Sequence, residues 1–177
     1  MKRSWSVIAA LFLALGGLSA VAGYEMGPPR AAAWREIAWP FPRDGWPAGR
    51  AFRCGVADCG ADVEVYLRPK LGFCNCDSGV ADDDEVDRVS DVDMISPRFV
   101  PLKAGEVVHV AGMSGRIRAY DLDGKRAAIG IAASHRCDLM AVAAQGRGDA
   151  VKVQRATLKF LELQEIKEWM TVAMDGR

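Results

Sequence analysis

Four short apolar or alternating runs follow one another with little between them: Glu106 to Ala111, Arg116 to Leu122, Arg126 to Ala133 and Asp138 to Gln145. Runs of this length bounded by turn residues read as strands. Connections this short leave no room for a crossover, so consecutive strands must pair antiparallel. Gly112-Met113-Ser114-Gly115 is expected to close the first pair. Asp123-Gly124 is a strong signal for a two-residue hairpin, since both central positions there need positive φ.

Upstream, Val63, Val65 and Leu67 alternate with Asp62, Glu64 and Tyr66, the period-two pattern of a half-buried strand. At the other end, Leu163, Ile166, Trp169, Met170 and Ala173 fall on one stripe of a helix, with Gln164, Glu165, Lys167, Glu168 and Thr171 opposite. Residues 151–161 fit either a continuation of this helix or a fifth strand, because Val151, Val153, Leu158 and Phe160 match both periods in part. The expected fold class is therefore α+β: an antiparallel meander with a C-terminal amphipathic helix packed on one face. A β-sandwich is the alternative.

The beginning of the chain has a different composition. Lys2 and Arg3 precede a charge-free apolar run from Trp5 to about Ala22, which has the n-region and h-region of a secretory signal peptide. Ala20 and Ala22 match the small-residue cleavage rule, so cleavage after Ala22 is expected. The competing reading is a transmembrane segment acting as an uncleaved membrane anchor, since about 18 apolar residues is just enough to cross a bilayer. Either way the positive N-terminal flank places the rest of the chain in the periplasm or outside the cell. Contact with a membrane is expected only through residues 5–22, if they are retained.

Residues 23–50 carry Pro28, Pro29, Trp34, Trp39, Pro40, Pro42, Trp46 and Pro47. Proline at this density removes amide donors and fixes φ, so this stretch reads as an extended arm laid over the core. The expected organisation is a leader at 1–22, the Trp/Pro-rich arm at 23–50 and one domain at 51–177. With Lys2 and Arg3 removed, 21 basic residues stand against 23 acidic ones, a net charge near −2. That balance gives no footprint for nucleic acid, which needs a basic excess on one face.

Cys54, Cys59, Cys74, Cys76 and Cys137 all lie beyond the leader, where an oxidising compartment favours disulfides. Cys54 and Cys59 flank the turn-like Gly55-Val56-Ala57-Asp58 and could close a small loop. Cys74 and Cys76 make a strained pair with each other, so one of them is expected to reach Cys137. Five is odd, so at least one sulfur is left over. The alternative is a metal site: Cys74, Cys76, His135 and Cys137 form two pairs of soft ligands, each pair two residues apart, suited to zinc or copper. No other cofactor is expected.

The acidic run from Asp82 to Asp93 lacks the loop pattern of a calcium site. It fits instead a helix start, with Asp82 as N-cap and acids in the first turn. Arg116 and Arg118 project together from one strand and could clamp an anion, or pair with that acidic run. His109 shares a strand face with Val107 and is read as a core or rim histidine. Ser114 sits outside any nucleophile elbow. The functional expectation is an exported, non-enzymatic binding or accessory protein with structural disulfides, its partner an unidentified protein or small molecule. The alternative is a periplasmic metal or thiol-redox protein using the Cys-x-Cys and His-x-Cys pairs.

Overall fold

The computed structural model describes residues 33–42, 44–72 and 79–175. These form one open antiparallel sheet of eight strands in an α+β fold: β1 Arg35–Ile37, β2 Arg50–Cys54, β3 Val63–Lys70, β4 Val100–Pro101, β5 Glu106–Val110, β6 Met113–Asp121, β7 Arg126–His135 and β8 Asp138–Arg147. The order across the sheet is β1-β2-β3-β8-β7-β6-β4, with β5 also on the outer edge of β6. A single sheet replaces the alternative β-sandwich. The helices are α1 Val56–Cys59, α2 Asp83–Val89, α3 Val92–Ile95, α4 Ala150–Leu161 and α5 Gln164–Asp175.

The alternation read from β3 holds, with a consequence for its second face. Val63, Val65 and Leu67 join the main core, where Phe52, Ile117, Ile129, Ile131, Met140 and Val142 meet α4 and α5. Tyr66, Arg68 and Lys70 point the other way and are buried as well. That opposite face is covered by α2, α3 and the segment carrying Ile37, Trp39 and Phe41. The sheet is therefore covered on both sides, where a helix on one face was expected. Pro69 is tolerated inside β3 because the pairing with β2 ends at Leu67, leaving β3 an edge at that point.

Residues 151–161 are helical. Asp149 caps α4 by accepting the Val151 amide at 2.9 Å, and Val153, Ala156, Phe160 and Leu161 bury at helical spacing. The chain then breaks at Glu162 and Leu163, where the Leu163 amide returns to the Phe160 carbonyl at 3.0 Å. Two helices, α4 and α5, thus stand where either one longer helix or a fifth strand followed by a helix was expected. Ile166, Met170 and Met174 of α5 are buried, and Trp169 and Ala173 pack at the margin.

The turns differ in detail from the sequence reading. Between β5 and β6 only Ala111 and Gly112 turn, both with positive φ, 49° and 79°, and Met113 to Gly115 already belong to β6. Between β6 and β7 the loop is longer than two residues: the Leu122 amide bonds the Arg126 carbonyl at 3.0 Å across Asp123-Gly124-Lys125. Gly124 takes φ 73° there, and the Asp121 carboxylate accepts its amide at 3.0 Å. In segment 23–50, Trp34 stacks near Phe160 on one side of the sheet, with centroids 4.5 Å apart. Trp39 and Phe41 meet Tyr66 on the other, so β1 acts as the edge around which the arm passes.

Among the described residues no helix is long and apolar enough to cross a membrane. The apolar run 5–22 lies outside them.

Candidate functional site

The residues singled out from the sequence are not brought together. Cys54 and Cys59 form a disulfide around α1, with Cα atoms 6.1 Å apart. Cys137 is also disulfide-bonded, to a partner outside the described residues. Cys74 and Cys76 lie outside them too. A sulfur held in a disulfide supplies no thiolate, so Cys137 drops out of the Cys74, Cys76, His135 and Cys137 metal set. His135 places Nε2 3.4 Å from Asp175 Oδ1, tying the β7–β8 hairpin to the end of α5. Among the described residues, no three His, Cys, Asp or Glu side chains cluster to hold a metal ion.

Arg116 and Arg118 do project from one face of β6, but α2 packs on that face with the acidic run. Arg116 donates to Asp83 Oδ1 at 2.6 and 3.2 Å, and Arg118 to Asp87 Oδ2 at 2.8 Å. Tyr120 donates its hydroxyl to the other Asp87 oxygen at 2.7 Å. The Gly105 amide, then Arg116, hold the Asp83 carboxyl below the usual carboxylate range. The anion-clamp reading of Arg116 and Arg118 is therefore overturned: both guanidinium groups are neutralised within the fold. Asp82 does cap α2, accepting the Glu85 amide at 2.9 Å. His109 and Ser114 are register partners across β5 and β6, and both are exposed, which corrects the core or rim placement of His109.

Deeper on the same face lies a charge network that the sequence reading missed. Arg68 is 2% exposed and places Nε 2.7 Å from Asp91 Oδ2. Its NH2 reaches Asp91 Oδ1 at 3.0 Å and Asp44 Oδ2 at 2.7 Å. Lys70 Nζ donates to Asp91 Oδ1 at 2.6 Å and to the Val89 carbonyl at 3.0 Å. Burial works against the charged form of Arg68, and its hydrogen bonds to Asp44 and Asp91 outweigh that, holding its pKa above the ordinary value. Each charged group of this network faces a partner of opposite sign, so it acts as a structural cross-brace from β3 to α3.

The open polar surface lies at the other end of that face, beyond the helices. The register runs Arg53 on β2, Glu64 on β3 and Gln145 on β8 side by side. Arg126 and Arg147 are direct partners on β7 and β8. Together with Asp62 these side chains line a cleft of about 190 Å³. Arg53 forks onto Asp62 at 3.1 and 2.9 Å. Glu64 Oε2 accepts from the Tyr66 hydroxyl at 2.5 Å and from Gln145 Nε2 at 3.0 Å. Gln145 Oε1 accepts from Arg126 NH1 at 2.9 Å, and Arg126 Nε donates to Asp123 at 2.8 Å. Burial, then the bond to Glu64, pushes the Tyr66 hydroxyl pKa up, so it stays a donor. The floor of the cleft is therefore a rigid relay of satisfied groups. The arginines come from three strands, and no local spacing in the sequence marks them as a set.

Comparisons with known proteins supply no family. No protein-family model matches the chain, and no curated protein matches it. Among solved structures it is similar to a cyanobacterial PsbP (CyanoP) from Synechocystis sp. PCC 6803, with 15% identity and a TM-score of 0.46. The match covers 72% of this chain and 77% of that one.

Proposed function

We propose that this chain works outside the cytoplasm as a disulfide-stabilised binding or accessory protein without catalytic chemistry of its own. The observation that supports the reading is cysteine usage. Each of the three cysteines among the described residues is in a disulfide: Cys54 with Cys59, and Cys137 with a partner beyond them. Structural disulfides form and persist where thiols are oxidised, the compartment to which a charged and then apolar leader directs a chain. The site chemistry fits binding: the open cleft is lined by arginine, carboxylate and amide groups. Neither described histidine is joined to a hydroxyl and a carboxylate in the manner of a hydrolytic relay.

The test is made on the full chain expressed with its leader in its own host. The processed protein is expected in the extracytoplasmic fraction, with one thiol alkylated after denaturation without reductant and no bound metal. Three or more alkylated thiols, an equivalent of copper or zinc, or a cytosolic chain with all cysteines reduced would overturn the proposal.

A further inference from the structure

Among the described residues, Met94 on α3 is the methionine that the fold leaves partly uncovered. Met113, Met140, Met170 and Met174 are 5%, 0%, 0% and 3% exposed, whereas Met94 is half-buried. Its sulfur also has a specific neighbour: Sδ lies 3.6 Å from NH2 of Arg68, the cation at the centre of the buried charge network. That nitrogen carries two hydrogens and faces three acceptors. Asp44 Oδ2 stands at 2.7 Å, Asp91 Oδ1 at 3.0 Å and the Met94 sulfur at 3.6 Å. A thioether is the weakest acceptor of the three, so both hydrogens go to the carboxylates.

We propose that Met94 is a site of oxidation by peroxides, and that its sulfoxide takes Arg68 NH2 from Asp44 and so loosens the Trp/Pro-rich arm. The step is an oxygen transfer. The sulfur lone pair attacks one oxygen of hydrogen peroxide, the O–O bond breaks, the thioether is oxidised to the sulfoxide, and the peroxide is reduced to water. The added oxygen, turned toward NH2, comes within hydrogen-bond reach, because the sulfur already sits 3.6 Å away and an N–H···O bond spans about 2.9 Å. It is a strong acceptor where the thioether was a weak one, so one carboxylate must yield. Asp91 is 8% exposed and is held besides by Arg68 Nε at 2.7 Å and Lys70 Nζ at 2.6 Å. Asp44 is 32% exposed, so water can replace what it loses, and it keeps Arg68 NH1 at 2.8 Å when it gives up NH2. Its fork on Arg68 then falls from two bonds to one. Asp44 belongs to the arm whose Trp39 and Phe41 lie against Tyr66, so this fork is an ionic tie between the arm and the second face of the sheet.

The experiment treats the disulfide-bonded full-length protein with hydrogen peroxide at neutral pH and follows each methionine by peptide mass. Met94 should be oxidised at least about tenfold faster than Met113, Met140, Met170 and Met174, which react only when the fold opens. In concentrated urea the rates should converge. The tie itself is read from the Asp44 carboxyl carbon by nuclear magnetic resonance. Its titration, held at about 2 by the hydrogen bonds from Arg68, should rise by about one unit once the sulfoxide forms, with the far-ultraviolet dichroism unchanged. Met94→Leu, close in volume and inert to peroxide, should titrate alike before and after treatment, which separates Met94 from oxidation elsewhere in the chain. Met94 reacting no faster than the four buried methionines, an Asp44 titration unmoved by the sulfoxide, a rise that comes only with loss of the native dichroism, or an equal rise in treated Met94→Leu would overturn the proposal.

Discussion

Asp91→Asn should remove more stability than any other single isosteric change among the described charges. Asp91 receives two buried cations: the Arg68 guanidinium through a fork of 2.7 and 3.0 Å, and Lys70 Nζ at 2.6 Å. The side chains of Arg68, Lys70 and Asp91 are 2%, 7% and 8% exposed. Removing one partner of a buried ion pair leaves an uncompensated charge and costs about 3–5 kcal/mol. In Asp91→Asn, Arg68 keeps Asp44, and Lys70 keeps only the Val89 carbonyl. Asparagine is the right probe because Asp91 has φ 65°, a left-handed conformation that Asn adopts readily, so the backbone is unchanged and the charge alone is lost. With about 2–4 °C of midpoint per kcal/mol for a chain of this size, the expected fall in Tm is about 6–20 °C. The assay is urea unfolding with disulfides intact, followed by tryptophan fluorescence and far-ultraviolet dichroism, with the m-value unchanged. Adding Lys70→Met should return part of the loss, because it removes the stranded cation. A cost below about 1 kcal/mol, the range of an exposed pair, or no recovery in the double variant, would refute the reasoning.

Two further outcomes arise from the same charges and cross-links. Arg68, through its hydrogen bonds, lowers the Asp44 carboxyl from 3.8 to about 2. A depressed folded-state pKa adds stability that is fully present above the unfolded value and lost as pH falls through the folded one, so urea midpoints should decline between pH about 4 and about 2, and Asp44→Asn should flatten that limb. A limb that persists unchanged in the variant would assign it to other carboxylates. The double change Cys54→Ser with Cys59→Ser opens a loop of sequence separation 5. The chain-entropy argument gives a loss of about 2 kcal/mol for so short a loop, read as a shift in urea midpoint, and a neutral result would mean that α1 holds its ends together without the bond.

Where structure follows from short-range pattern, it was legible. The period-two text of residues 63–67 and the tight succession of residues 106–145 became β3 and β5 to β8, because alternation and turn residues act over a few positions. Asp82 and its acidic neighbours became α2 for the same reason. Residues 151–161 stayed ambiguous because their apolar spacing fits two periods; the cap at Asp149 and the burial of Ala156 and Leu161 alongside Val153 and Phe160 decide for helix. The central pairing was beyond any local reading. Val63 meets Gly146 across the middle of the sheet, and only that contact makes β3 an interior strand and brings Arg68 and Lys70 under cover. With both faces closed, the two cations at the end of that strand are buried and need carboxylates, which Asp44 and Asp91 supply.

The site follows the same division. Arg116 and Arg118 stand out in the sequence because two positions two apart on one strand share a face. Their availability, however, is set by α2, which delivers Asp83 and Asp87 to that face. Arg126 and Arg147 lie 21 positions apart by residue number and face each other only because β7 and β8 are in a register closed by His135 opposite Asp138. A slip of one residue in that hairpin would carry Arg147 to the opposite face and dissolve the cleft. The hairpin is clamped at its tip by the contact of His135 and Arg136 with Asp175, and by the disulfide of Cys137. The contacts that close the hairpin tip thus also hold the register on which the cleft depends.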